Sequence, residues 1–126
     1  ANSGSQPFAE PQMAALETVL AAILARWSIA PHRVIGHSDM APQRKSDPGR
    51  SFDWRRLALQ GLSVWPDLGD PTAPLSTSLT RFGYPDAPAD IRLAAFRLRF
   101  RPWAKGPLDS VDAAMAADLA VRYPAA

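Results

Sequence analysis

His37, Lys45 and Asp47 lie close together in the stretch VIGHSDMAPQRKSDPG, Val34 to Gly49. An imidazole nitrogen and a carboxylate oxygen are both good ligands for Zn²⁺, and a catalytic zinc takes three protein ligands and keeps one position for water. Asp47 follows His37 by ten residues, and the turn residues Pro42, Pro48 and Gly49 can fold the loop back toward it. Lys45 precedes Asp47 by two positions. In an extended segment such neighbours project to one side, where an ammonium can stabilise an oxyanion growing on a metal-bound carbonyl. Asp39 can accept a hydrogen bond from behind the ligand or simply cap a turn. Composition leaves two readings open. One is a metal-holding loop; the other is a turn-rich surface loop in which Asp47-Pro48 only starts a turn.

Several elements must position that loop. The apolar positions Met13, Leu16, Leu20, Ile23, Leu24 and Trp27 recur at helical spacing, which predicts a helix over Pro11–Trp27 ending near Ser28. RVIGH then reads as one buried strand ending at Gly36-His37. After the loop, SFDWRRLALQG reads as a short helix stopped by Gly61, and Leu62–Ser76, rich in Pro, Gly and Asp, as a linker or long surface loop. The last fifty or so residues predict three short helices, in LSTSLTRFGY, APADIRLAAFRLRF and LDSVDAAMAADLAVRY, the last capped by Asp109 or Ser110. The boundary falls near residue 70. The expected fold class is therefore α/β: a partial mixed-sheet domain over residues 1–70, followed by a small three-helix bundle over 71–126. A lone buried strand leaves backbone N–H and C=O groups unpaired, so its partner strands are expected upstream of Ala1 or in another chain.

The bulk properties exclude several classes. An apolar fraction of 47% is that of a globular chain, and a net charge of +2 with scattered arginines gives no nucleic-acid stripe. There are no cysteines, which removes disulfides and thiolate ligands. No apolar run reaches the length of a transmembrane helix. The start, ANSGSQPF, has neither an initiator Met nor a signal peptide, so a processed chain or part of a longer one is expected.

The loop string closely resembles the G-H-S-D-x-A-P-x-R-K-x-D-P-G segment of the type 2 N-acetylmuramoyl-L-alanine amidases, the zinc peptidoglycan amidases, over about fourteen positions. Its flanks PHRV and FDWRRLA agree with the family, and NSGSQPF resembles the segment just after a strand of its catalytic domain. LTRFGY, AAFRLRFRP and LDSVDAAMAADLAVRY are similar, more loosely, to the helical peptidoglycan-binding module of the larger members. The resemblance implies that His37 and Asp47 are two of three zinc ligands and that Lys45 polarises the scissile carbonyl or holds the oxyanion. It implies hydrolysis of the amide between N-acetylmuramic acid and L-alanine, with peptidoglycan or muropeptides as partners and the periplasm or cell envelope as the compartment, the cytoplasm staying open. Asp39 and Arg44 match motif positions of structural character.

The family's first zinc-ligating His and its usual general-base Glu have no counterpart here. His32, the remaining histidine, matches neither and reads as a surface residue. The N-terminal half of the catalytic domain is therefore expected elsewhere, as a separate chain among other arrangements. Two hypotheses follow: an enzyme active once that half is supplied, or a peptidoglycan-binding fragment without metal. In the helical unit, Phe82, Phe96 and Phe100 are expected in the core and Tyr84 and Trp103 on the surface. Arg97, Arg99 and Arg101 are expected on a solvated helix face, with stem-peptide carboxylates as the alternative.

Overall fold

A computed structural model describes residues 7–125, so most of NSGSQPF lies outside the described residues. The chain folds as α1 (Glu10–Trp27), a 3₁₀ turn (Pro31–Arg33), α2 (His37–Met40), α3 (Trp54–Leu59), α4 (Leu75–Phe82), α5 (Ala89–Phe100) and α6 (Ser110–Arg122). None of the described helices is long and apolar enough to cross a membrane.

The α/β expectation is wrong for this chain: the described residues contain no strand and no sheet. RVIGH divides instead into the end of the 3₁₀ turn, an extended stretch and the start of α2. Val34 and Gly36 keep extended backbone angles, with φ −84°, ψ 108° and φ −90°, ψ 166°. With no neighbouring strand, backbone groups of this stretch find other partners. Val34 N–H donates to Pro31 O at 3.1 Å, and Val34 O accepts from Ser63 Oγ and Arg99, each at 3.2 Å. Gly36 N–H donates to an Asp39 carboxylate oxygen at 2.9 Å. β-branched residues favour extended geometry, but a ladder needs a second strand.

α1 forms as its spacing predicts, with Pro11 in the first turn, where no N–H is needed. Ser28 closes it in the left-handed region (φ 52°), donating to Leu24 O. Its apolar stripe is only partly covered. Met13 is buried and Leu16, Leu20 and Leu24 are half-buried, whereas Ile23 and Trp27 are 41% and 66% exposed. Arg56 of α3 ties α1 down by pairing with Glu10 and with Glu17, the latter at 2.6 Å, while Gln60 donates to Glu17 as well. These carboxylates raise the Arg56 pKa, with the hydrogen bond to Glu10 the larger cause.

Two apolar clusters share Trp65. Met13, Trp54, Leu57 and Leu62 make the first, and Val64, Leu79, Phe96, Phe100 and Leu119 anchor the second. The first residues of the expected linker, Leu62 to Val64, are thus buried rather than on the surface. α4 packs along α6, whose buried alanines 113, 114, 116, 117 and 120 leave room for a close approach. Asp109 caps α6 and accepts from the Val111 and Asp112 amides, while Asp112 reaches back to the Asp109 amide.

The solvated-arginine expectation also fails. Arg92, Arg97 and Arg99 are buried and Arg101 is half-buried. Tyr84 is buried at 4% exposure, contrary to its expected surface position, while Trp103 is 66% exposed as expected. Phe96 and Phe100 are fully buried, and Phe82 packs against them half-buried.

Candidate functional site

The loop is built from its two ends inward. The extended stretch ends at Gly36, and α2 makes a single turn in which Ala41 N–H donates to His37 O at 2.8 Å. Lys45 N–H then closes a further turn onto Ala41 O at 2.9 Å. The return strap is pinned by Ser38 N–H, which donates to Asp47 O at 3.1 Å. Gly49 completes it at φ 86°, a conformation that favours glycine. Gly36 has a steric reason as well. A Cβ there would lie 2.7 Å from Pro48 Cδ and 3.3 Å from both the Asp47 carbonyl oxygen and the Trp54 ring.

This folding brings His37 and Asp47 together. His37 Nδ1 and Asp47 Oδ2 are 2.7 Å apart, and both side chains are 60% exposed. A carboxylate only accepts, so Nδ1 carries the proton in this contact. The hydrogen bond from His37 holds the Asp47 carboxyl below the usual value; burial opposes it slightly, and the Lys45 charge adds a smaller lowering. Lys45 is exposed on the same loop and makes no ion pair with Asp47, so the two share a neighbourhood and not a contact. The pair borders an apolar cleft of about 300 Å³ walled by Leu16, Leu20, Val34, Ile35 and Phe52.

His32 lies apart from this pair and stacks on Tyr123, with ring centroids 5.8 Å apart. No group of three His, Cys, Asp or Glu side chains able to hold a metal occurs among the described residues. The donor set that converges here is one imidazole and one carboxylate. These are the ligand types zinc takes, with the third absent.

Behind the loop lies a support that spacing alone did not bring out. Asp39 is buried at 4% exposure. Its carboxylate accepts from Gly36 N–H, from the Tyr84 hydroxyl and from Arg99 at 3.4 Å. Arg99 also donates to Ser63 Oγ at 3.1 Å and lies 4.5 Å from the Trp54 ring and 4.7 Å from the Phe100 ring. A signal for the burial of Arg99 was present. Arg92, Ala95, Phe96 and Arg99 share one face of α5 at i, i+3, i+4 and i+7, and that face is the buried one.

A fold of packed helices carrying an exposed His–Asp pair on a strapped loop can now be set beside known proteins. Residues 1–50 match the N-acetylmuramoyl-L-alanine amidase family, and the chain is similar over most of its length to a relative and a solved structure that carry that name. It is 38% identical to the N-acetylmuramoyl-L-alanine amidase AmiD of Escherichia coli, over 93% of this chain and 50% of the relative. It is 40% identical to the 1,6-anhydro-N-acetylmuramyl-L-alanine amidase AmpD of Enterobacter cloacae, over 40% of this chain and 27% of the relative. The structure of E. coli AmiD with the substrate anhydro-N-acetylmuramic acid-L-Ala-D-gamma-Glu-L-Lys superposes with a TM-score of 0.83 at 35% identity, covering 93% of this chain and 54% of that one. AmpDh3 of Pseudomonas aeruginosa in complex with anhydromuramic pentapeptide gives 0.83 at 32% identity, covering 95% and 56%. The chain thus spans about half the length of AmiD.

Proposed function

We propose that this chain supplies two zinc ligands, His37 and Asp47, and the oxyanion-stabilising Lys45 to an enzyme that hydrolyses the amide between N-acetylmuramic acid and L-alanine in peptidoglycan. The observation that carries this reading is the approach of His37 Nδ1 to Asp47 Oδ2, 2.7 Å, on an exposed loop within the residues that match the amidase family. A zinc ion bound by both groups would replace the Nδ1 proton that now bridges them, and the pair would open slightly to admit it. Bound zinc supplies an acidified water and polarisation of the scissile carbonyl. The chain's own contribution is to aim the imidazole and carboxylate outward, beside an apolar cleft, and to keep an ammonium on the same loop.

The third ligand and the general base belong to the N-terminal half of the catalytic domain, present in a longer form of the protein or as a separate chain. Its docking face is the open side of α1, where Val19, Ile23 and Trp27 are 54%, 41% and 66% exposed. Residues 1–70 are then the C-terminal half of the catalytic domain, and 71–126 a peptidoglycan-binding-like unit. The substrates are peptidoglycan fragments of the muropeptide type, as the bound molecules of AmiD and AmpDh3 suggest. A wall polymer as substrate favours the periplasm or cell envelope, with the cytoplasm as the alternative.

The alternative reading is a non-catalytic peptidoglycan-binding fragment without metal. The test is zinc content and muropeptide cleavage with both halves present. His37→Ala abolishes zinc retention and turnover together, whereas Lys45→Ala keeps zinc and lowers kcat. A His37→Ala protein that keeps full zinc and full rate refutes the ligand assignment.

A further inference from the structure

The His37–Asp47 pair is exposed, yet the turn that carries it rests on one buried charge. Asp39 sits in α2 beside His37 and Ser38, and its carboxylate has a donor from each side of the molecule. Gly36 N–H, from the loop itself, donates at 2.9 Å. The Tyr84 hydroxyl, just after α4, and Arg99 of α5 donate from the helical unit. A carboxylate with 4% exposure is held in place by partners that replace its lost water. The single backbone donor does not supply that; the opposing charge is the Arg99 guanidinium, whose side chain is 1% exposed.

We propose that Tyr84 and Arg99 are positioning residues for the His37–Asp47 pair, acting through Asp39 across the seam between the two units.

The connections run both ways from Asp39. Its grip on Gly36 N–H sets the start of the turn from which His37 projects. Ser38, between His37 and Asp39, holds the carbonyl of Asp47 at 3.1 Å. A displaced Asp39 therefore moves both members of the pair. Arg99 extends the same control to the preceding residues, since one guanidinium reaches Asp39, Val34 O and Ser63 Oγ together. A planar fork addresses three acceptors at once; an ammonium on a flexible stem does not do so in the same geometry. Burial keeps the Tyr84 phenol far above its ordinary pKa, with the Asp39 charge adding to this, so it remains a donor at all working pH. On this view the helical unit is part of the scaffold of the site and not only a tether.

The experiment compares Tyr84→Phe and Arg99→Lys with Arg97→Lys in the full chain. Arg97 is the control, because it lies on the same helix but serves Gly106, Pro107 and Asp112. Amide hydrogen exchange is read at Gly36 and Ser38, and zinc affinity by competition with a chromophoric chelator. Tyr84→Phe and Arg99→Lys speed exchange at Gly36 and Ser38 by about 10-fold or more while α6 stays protected. Arg97→Lys speeds exchange at the start of α6 and leaves Gly36 and Ser38 unchanged. Zinc affinity falls about 10- to 100-fold in the first two variants and not in the control, as for other residues that orient metal ligands. The zinc arm rests on the proposed function; the exchange arm does not. A wild-type protein that binds no zinc with both halves present removes the metal reading while exchange still decides the positioning role. Should Arg99→Lys fail to fold, Tyr84→Phe decides. Wild-type exchange at Gly36 and Ser38 in Tyr84→Phe, or equal acceleration by Arg97→Lys, overturns the proposal.

Discussion

Replacing Asp112 by alanine tests how far the helical unit depends on buried charge. Asp112 is fully buried. Its carboxylate accepts from Arg97 at 2.6 and 3.2 Å, from Arg101 at 2.8 Å and from the Asp109 amide at 3.1 Å. Removing one partner of a buried ion pair costs about 3–5 kcal/mol, because the other charge is left in a medium that cannot solvate it. Two features move the figure to the low end of that range. Arg97 keeps the Gly106 and Pro107 carbonyls at 2.7 and 3.0 Å, and Arg101 keeps Asp109 at 2.8 Å. The expected loss is therefore about 3 kcal/mol, or roughly 10 °C in Tm for a domain of this size.

Thermal unfolding followed by helical circular dichroism measures it, with Asp112→Asn alongside. The amide keeps the volume and the acceptor for Asp109 N–H, so its loss is smaller. The pH dependence adds a second check. Burial pushes the Asp112 carboxyl up, but the hydrogen bonds from Arg97, the Asp109 backbone and Arg101 outweigh it, and the pKa is lowered. A carboxyl depressed on folding contributes fully above its unfolded pKa, about 3.9, and loses that contribution as pH falls through the folded value. The Tm curves of wild type and Asp112→Asn thus run parallel near neutrality and converge below about pH 4. A loss under about 1 kcal/mol for Asp112→Ala, or curves that stay parallel in acid, would refute the account of a buried, ionised hub.

Gly36→Ala forces a methyl to within 2.7 Å of Pro48 Cδ. The expected loss is about 1–3 kcal/mol by denaturant midpoint, with weaker zinc binding as the loop is pushed open. Gly69→Ala places a methyl 2.8 Å from Asp118 N and 3.1 Å from Ala114 O, both backbone atoms with no room to yield. A similar loss of about 1–3 kcal/mol is expected, and an unchanged midpoint counts against the packing described. Arg56→Ala leaves the buried Glu17 with Gln60 alone, and α1 is expected to loosen from α3. Faster amide exchange in α1 than in α6 locates the effect.

How much of this was legible in the residues differs from part to part. The helices over Pro11–Trp27 and from Leu75 onward were readable because each repeats apolar residues near the helical period. The loop was readable as a string, since His37 and Asp47 owe their meeting to local turns that Pro42, Pro48 and Gly49 announce. RVIG failed for a non-local reason. Its β-branched residues suit extended backbone, and they are extended, but a strand is defined by a neighbour. The arginines of α5 failed differently. Counted singly, Arg92 and Arg99 are charges and go to solvent; counted in register with Ala95 and Phe96, they lie in the middle of the buried face. The acceptors of Arg99, the Val34 carbonyl, the Ser63 hydroxyl and the Asp39 carboxylate, lie so far back in the sequence that no local window contains them.

α1 and the ligand pair share one cleft, in which Leu16 and Leu20 stand beside His37 and Asp47. Under the proposed function, whatever covers α1 also brings the third donor to the ion. Docking and metal binding are then a single linked equilibrium. Zinc that binds only the assembled site stabilises the assembly by RT ln(1 + [Zn]/Kd), about 2.7 kcal/mol at one hundred times Kd. The apolar face supplies affinity that does not depend on the metal, and the His37–Asp47 pair supplies the part that does. Under the proposed function, then, this chain alone would hold zinc weakly. Asp39 couples the second effect to the rest of the chain, because the buried charge that fixes the ligand turn is neutralised from the far side by Arg99.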